Sequence, residues 1–272
     1  MAYRSDLHCH SRFSFDSESE LDDVILTAID KGLDEIAITD HCDLYQSELL
    51  SQLESPFEHE TVYRLLCEKR EEYKERIKVT VGIEIGQGTE RPETVKKLLS
   101  EHKYDMVIGS LHSLYRMPDF YLLDFSKITG KQCDLFIAQY FFEIEKMVDW
   151  GQFDTLAHLT YPIRYIKAGG HNVDLKGHLP QIERIFTKLI KKGIALEINS
   201  SGYRQNLDSP LPSYDLLEIY HKLGGELITV GGDAHDIDDI ARFFDIVYDN
   251  LRRIGFKYVC SFTERKMQLK EI

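Results

Sequence analysis

Six of the eleven histidines in this 272-residue chain close short apolar runs, and acidic residues accompany them. The stretches are Asp6-Leu7-His8-Cys9-His10, Thr39-Asp40-His41, Gly82-Ile83-Glu84, Ser110-Leu111-His112, Leu156-Ala157-His158 and Gly232-Asp233-Ala234-His235. Asp16, six residues past His10, completes a set of nine: His8, His10, Asp16, His41, Glu84, His112, His158, Asp233 and His235. Imidazoles and carboxylates together give mixed nitrogen and oxygen coordination, which suits zinc, manganese or iron rather than calcium or magnesium alone. Singly, each stretch is weak. An HxH pair faces one way on a strand, but such pairs also arise by chance. A lone histidine ending an apolar strand is more often a hydrogen-bonded core residue. Glu84 says more, because a carboxylate buried without a partner inside Val81-Gly82-Ile83-Glu84-Ile85-Gly86 is costly and a cation is its natural counterpart. Independent core histidines have no reason to choose the same end of several strands. Nine donors are too many for one ion and fit three divalent ions sharing bridging carboxylates.

Such a set needs a scaffold that brings many strand ends together. Short β-branched runs mark strands at 3–10, 35–41, 78–85, 105–112, 154–160, 194–200 and 227–234. Helical periodicity fills 20–31, 60–76, 91–101, 133–149, 178–192, 213–223 and 237–254, with Gly32, Gly193, Gly224 and Gly255 as stops. Seven repetitions of strand then helix mean parallel strands with crossover helices. A doubly wound sheet should carry a glycine-rich phosphate loop, and neither GxGxxG nor GxxxxGK[ST] occurs. A barrel puts functional residues at the C-terminal ends of many strands. The expectation is therefore an α/β chain folded as one seven-stranded (β/α) barrel domain over residues 1–272, with no linker and no internal repeat.

The net charge of −13 and pI of about 5.3 argue against a nucleic-acid partner. A small phosphorylated substrate stays compatible if cations gather locally. No apolar run approaches the ~20 residues of a membrane span, and no leader-like apolar segment follows Met1. Five scattered cysteines (Cys9, Cys42, Cys67, Cys133 and Cys260) form no CxxC pair and read as reduced thiols of a cytoplasmic protein. Cys9, between His8 and His10, should point away from them into the barrel wall.

The successive motifs Asp-Leu-His-Cys-His, Ile-Thr-Asp-His, Gly-Ile-Glu, Gly-Ser-Leu-His-Ser, Ala-His-Leu and Gly-Asp-Ala-His resemble those of the PHP (polymerase and histidinol phosphatase) superfamily. Within it the chain resembles the monofunctional histidinol-phosphate phosphatases. The supporting segments are Ser-Phe-Asp at 14–16, Gly-Ser-Leu-His-Ser at 109–113, His-Leu-Thr-Tyr-Pro-Ile-Arg at 158–164 and Glu-Ile-Asn-Ser-Ser-Gly-Tyr-Arg at 197–204. The resemblance implies a distorted (β/α)7, TIM-like barrel with a trinuclear centre. One ion would take His8, His10, Glu84 and Asp233. A second would share Glu84 and add His112 and His158. A third would take Asp16, His41 and His235. It also implies hydrolysis of L-histidinol phosphate in histidine biosynthesis. A water bridging two ions would ionise near neutral pH, and the hydroxide would attack phosphorus in line.

Neither a Cys-x5-Arg loop nor an aspartyl-phosphate motif is present, so no protein nucleophile is expected. Arg164 and Arg204, in the loops after the fifth and sixth strands, are the expected phosphate-binding and catalytic cations. Arg12 is a weaker third. Asp40 either shuttles a proton to the leaving alkoxide or orients a ligand imidazole. The sixth strand offers no metal ligand, which leaves its loop for substrate. The loop Leu114–Tyr121 offers aromatic faces and an acid for the imidazole and amine of the substrate. His59, His102, His171, His178 and His221 read as surface or capping residues, with His171 in a mouth-side loop. Rival readings are a PHP phosphoesterase acting on a nucleotide or oligonucleotide end, an amidohydrolase that would not need Arg164 and Arg204, and a binding module with an incomplete ligand set.

Overall fold

A computed structural model describes residues 2–45 and 59–272. Its sheet strands are β1 (Ser5–Cys9), β2 (Glu35–Ile38), β3 (His41–Asp43), β4 (Lys78–Gly86), β5 (Met106–Ser110), β6 (Thr155–Leu156), β7 (Ala195–Asn199) and β8 (Ile228–Gly231). They run parallel in the order β1-β2-β4-β5-β6-β7-β8, with β3 pairing the far end of β4. A parallel bridge between Cys9 and Ala234, with the His10 N–H on the Ala234 carbonyl at 2.8 Å, closes β1 against the end of β8. The result is a distorted seven-stave barrel. The helices Leu21–Asp30, His59–Tyr73, Pro92–Glu101, Gly130–Trp150, Leu179–Lys192, Tyr214–Lys222 and Phe244–Ile254 alternate with the staves.

Two layers of core follow from the two-residue period of the strands. Val79, Val81, Ile83 and Ile85 of β4 pack in the large apolar layer that includes helix residues such as Val62, Leu66, Val95 and Leu98. Leu7, Ala37, Met106, Ile108, Ala157 and Ala195 form a smaller cluster inside the barrel. Leu7 and His8 are consecutive, yet both belong to the interior, because the β1 register shifts between Asp6 and Cys9. Cys9 joins the outer layer as its place in the strand predicts.

The floor is closed by an antiparallel hairpin, β9 (Tyr258–Thr263) and β10 (Lys266–Glu271), whose Cys260 and Phe262 join the interior cluster. The predicted elements end at residue 254 and do not include this hairpin. Its two-residue turn, Glu264-Arg265, takes positive φ at both positions (48° and 61°) without the glycine or asparagine that usually announces such a turn.

Most predicted strands run shorter than expected, and three predicted elements are cut short at a visible turn of the backbone. The strand 35–41 breaks at Thr39-Asp40, where the Asp40 carboxylate turns to accept from Ser11 and Ser14. The strand 154–160 ends at Leu156, two residues before His158 takes a left-handed φ of 38°. The helix 237–254 starts only at Phe244, because Ala241 and Phe243 are left-handed. Two short helices escaped the pattern, Ile163–Ala168 and Ser201–Arg204, which follow β6 and β7 and carry Arg164 and Arg204.

Candidate metal centre

All nine sequence-selected donors meet at the mouth. Glu84, fully buried on β4, stands at the centre. Its Oε1 lies 3.2 Å from His112 Nε2 and 3.1 Å from His158 Nε2. Its Oε2 lies 2.8 Å from His41 Nδ1, 3.4 Å from His8 Nε2 and 3.7 Å from His10 Nε2. Asp233 Oδ1 is 3.6 Å from His8 Nε2, 3.4 Å from His10 Nε2 and 3.8 Å from His235 Nδ1. Asp16 closes the outer side, 3.1 Å from His235 Nε2 and 3.7 Å from His41 Nε2.

The electrostatics are those of a cage built around positive charge. Burial alone would raise the Glu84 carboxyl, but His112, His8 and His41 hold it well below the usual carboxylate range. Asp233 is likewise held well down against its burial, by His8, His10 and His235. Burial, with His235 and His41 beside it, drives His10 well below the usual imidazole value, and burial also lowers His158. Against their burial, the neighbouring carboxylates raise His8, His41 and His112 well above the usual imidazole value, so a cation entering there would displace protons to reach the lone pairs a metal ligand must offer. Among the described residues, His8 Nε2, His10 Nε2, His41 Nδ1 and Glu84 Oε2 are buried and make no hydrogen bond, although His41 Nδ1 and Glu84 Oε2 approach to 2.8 Å. Each such orphan costs about 1–3 kcal/mol, and shared cations would satisfy all four. The donors therefore fit divalent ions.

Close donor groups form around His8, His10 and Asp233, around Glu84, His112 and His158, around His10, His41 and His235, and around His41, Asp43 and His112. The first holds three of the four donors expected of the first ion, without Glu84, and the second holds the three donors expected of the second. In the third, His10 stands with His41 and His235, and Asp16 lies beside them. Asp43 was missed: it sits 3.0 Å from His112 Nδ1.

Glu197 was also missed; it supports a donor rather than adding one, and among the described residues the sixth strand contributes no member to the close donor groups. That strand, β7, sends Glu197 into the barrel, with Oε1 2.6 Å from His8 Nδ1. Its signal was legible, since Ala195-Leu196-Glu197-Ile198-Asn199 buries a carboxylate in an apolar run as the Glu84 segment does.

A cavity of about 660 Å³ opens over the donors, lined by Phe15, Asp119, Tyr121, Tyr161, Arg164 and Arg204 among others. Arg164 lies between Tyr161 and Tyr165, its guanidinium carbon 3.9 and 4.8 Å from their ring centroids, and its Nη1 is 3.9 Å from Asp233 Oδ2. Arg204 is anchored: Nη1 donates to the Gly232 carbonyl and Nη2 to the Asp233 carbonyl, both at 2.8 Å, and Nε is 3.1 Å from Asp239. Those contacts hold Asp233 at its left-handed φ of 51° and leave two of the five guanidinium N–H groups. Arg12 is exposed, pairs with Glu20 at 3.0 Å and does not line the cavity. Asp40 is buried and does not line it either; Ser14, which donates to Asp40 at 2.7 Å, stands 2.9 Å from His10 Nδ1. Asp119 lines the cavity beneath Tyr121, and burial pushes its carboxyl up to about 6. The half-exposed rings of Phe15 and Tyr121 stack 6.5 Å apart at the rim.

The remaining histidines lie away from the cage. His102 and His178 hold the expected capping positions, after Pro92–Glu101 and before Leu179–Lys192, and are buried there: His102 faces the Leu98 carbonyl and Glu60, and His178 faces Asp134. His171 does not line the cavity.

Residues 6–201 match the family model of the PHP domain. The chain belongs to the PHP family. It is 32% identical over 259 residues to the probable histidinol-phosphatase of Thermotoga maritima, across 93% of this chain and 94% of that one. It is 28% identical over 235 residues to the histidinol-phosphatase of Lactococcus lactis subsp. lactis, across 85% of this chain and 83% of that one. The fold matches the crystal structure of histidinol phosphate phosphatase from L. lactis, complexed with zinc, L-histidinol and phosphate. The TM-score is 0.82 at 24% identity, covering 97% of this chain and 98% of that one. The PHP match includes β1 to β7; Asp233 and His235, beyond its end, belong to the cage through β8.

Proposed function

We propose that this PHP protein is a histidinol-phosphatase, hydrolysing L-histidinol phosphate to L-histidinol and phosphate in histidine biosynthesis, through one barrel domain spanning the chain. The observation that carries the reading is the ring of orphaned, buried imidazole and carboxylate atoms around Glu84, opening on a cavity walled by Arg164. The names of the full-length relatives supply the substrate.

Three divalent ions (zinc, manganese or iron) would be held by His8, His10, Glu84 and Asp233, by Glu84, His112 and His158, and by Asp16, His41 and His235. When bound, they supply an ionised water near neutral pH and neutralise phosphoryl charge. Arg164 holds the phosphate with a planar fork whose orientation the Tyr161 and Tyr165 rings fix. Arg204 turns its two remaining donors to the same dianion while locking the Asp233 backbone. Asp40 holds Ser14 against His10 and so acts on ligand orientation rather than on the leaving group. Phe15 and Tyr121 offer ring faces to the imidazole of the substrate, and Asp119 offers a carboxylate to its cationic end. Among the described residues no helix is long and apolar enough to cross a membrane, which accords with a small polar substrate.

The test is steady-state phosphate release from L-histidinol phosphate, AMP and p-nitrophenyl phosphate with manganese or zinc added. The expected result is a kcat/KM for histidinol phosphate at least about a hundredfold above the others. Equal or better hydrolysis of AMP would discard the substrate and keep the phosphoesterase.

A further inference from the structure

We propose that Glu197 is a positioning residue that sets the tautomer of His8, and that Asn199 and Gly231 are there to hold it. The proposal rests on the metal-binding reading above.

His8 has one ring nitrogen on each side of this question. Nδ1 lies 2.6 Å from Glu197 Oε1, and Nε2 is buried, faces Glu84 and Asp233, and makes no hydrogen bond among the described residues. A carboxylate only accepts, so Nδ1 carries the proton and donates it. The Nε2 lone pair is then presented to the cage, as a metal ligand must present it. Glu197 is itself fixed. The Asn199 amide donates from Nδ2 to Glu197 Oε2 at 3.0 Å, and the Ser201 backbone N–H donates to Asn199 Oδ1 at 3.0 Å. The chain of donors runs in one direction, from the Ser201 backbone to Asn199 and on to Glu197, with His8 donating from the other side.

Space has been left for this carboxylate. A Cβ on Gly231, on the adjacent strand β8, would stand 2.5 Å from Glu197 Oε1 and 2.6 Å from His8 Cβ. Neither contact is tolerable, and His8 Cβ belongs to a strand that cannot swing away. Glu197 does not line the cavity, and its side chain is about 2% exposed. It therefore reaches neither solvent nor substrate and acts only through His8.

The experiment uses the full chain and zinc alone. Purified metal-free protein is titrated with zinc against a competing chelator. Imidazole nitrogen NMR of the zinc-loaded protein reads the His8 tautomer, and the melting temperature of the metal-free protein reads structure. E197Q sets an amide N–H2 group against that of Asn199, so the chain must break toward one neighbour. G231A pushes Glu197 or His8 aside while leaving the carboxylate chemically unchanged. For each we expect a loss of about ten- to hundredfold in affinity for one zinc ion, the usual effect of losing such a support. E197Q/N199D lets the introduced amide donate to the introduced carboxylate and turn its oxygen back to His8, and should recover most of that loss. Wild-type zinc affinity in E197Q and G231A would overturn the proposal. So would a loss that follows the metal-free melting temperature and is not recovered in the double variant. If the wild type binds no zinc, manganese or iron, the metal-binding reading itself fails and takes this proposal with it.

Discussion

Strand β4 carries two buried polar environments about 13 Å apart, four residues along one strand, and they are built on opposite plans. At the floor, Thr80 and Lys78 face Glu35, which is fully buried on β2. Glu35 receives Lys78 Nζ at 2.9 Å, Tyr3 OH at 2.8 Å and the Thr80 hydroxyl. Lys78 also donates to Ser261 Oγ and the Phe262 carbonyl, both at 2.7 Å, and so ties the C-terminal hairpin to the barrel. At the mouth, Glu84 is equally buried and surrounded by imidazoles, yet its Oε2 and three facing nitrogens make no hydrogen bond among the described residues. The floor meets its carboxylate with a permanent cation and two hydroxyls, whereas the mouth meets its own with imidazoles that can give up their protons. A buried carboxylate that the chain neutralises is a fastener, whereas one left with unused lone pairs among histidines awaits a cation.

The sharpest way to break that contrast is at Glu84. E84Q keeps the volume but removes the charge that lies between His112 and His158 on one side and His8, His10 and His41 on the other. Turnover of histidinol phosphate should fall by about a thousandfold or more, and the same loss should follow removal of metal from the wild type by a chelator. Zinc at about 100 times its dissociation constant should stabilise the wild type by about 2.7 kcal/mol, and E84Q should gain much less in thermal denaturation. Full activity in E84Q would end the comparison. Next in size is Arg164. R164A should lower kcat/KM by about a hundred- to a thousandfold, and R164K should rescue little, because a lysine cannot reproduce the planar fork between Tyr161 and Tyr165.

The floor should answer in another currency. K78M leaves Glu35 buried without its cation. Breaking a buried pair costs about 3–5 kcal/mol; with the Lys78 side chain 32% exposed, about 2–3 kcal/mol is a fair discount. Urea denaturation should show that loss, while kcat measured well below the melting range stays within about twofold of wild type. A large fall in kcat with stability intact would mean that the two ends are coupled.

How far the sequence reached divides along the same line. The ligand set was readable because metal chemistry demands particular residue types, and a parallel barrel puts every strand end on one face. Glu84 and Glu197 carry the same signal, a carboxylate in an apolar strand, and Glu197 was passed over only because no histidine stands beside it in sequence. Asp43 gave no such signal: it enters the site through the break at Thr39-Asp40, which follows from hydrogen bonds between Asp40 and the distant Ser11 and Ser14. The anchoring of Arg204 depends on backbone carbonyls of Gly232 and Asp233, which no residue pattern announces. The floor hairpin was hidden by a turn lacking the usual residues and by the pairing of Lys78 with Glu35 across two strands. Chemistry that needs a residue type is visible in sequence; support that comes from backbone position is not.

The smallest effect concerns selectivity at the rim. Burial raises the Asp119 carboxyl to about 6, with His112 and His41 pulling it down and Asp43 pushing it up. The group is therefore ionised above about pH 6 and neutral below it. If the carboxylate receives the cationic end of histidinol phosphate, its contribution is present above pH 6 and lost as the pH falls through that value. D119N removes it at every pH. The ratio of wild-type to D119N kcat/KM for histidinol phosphate should be about 10 at pH 8, the worth of one charge-assisted hydrogen bond, and approach 1 near pH 5. Taking the ratio cancels the titration of the substrate phosphate and of the shared metal cage. For p-nitrophenyl phosphate, which has no cationic end, the ratio should stay near 1 throughout. A ratio for histidinol phosphate that does not change with pH would place Asp119 outside substrate recognition and leave selectivity to the rings of Phe15 and Tyr121.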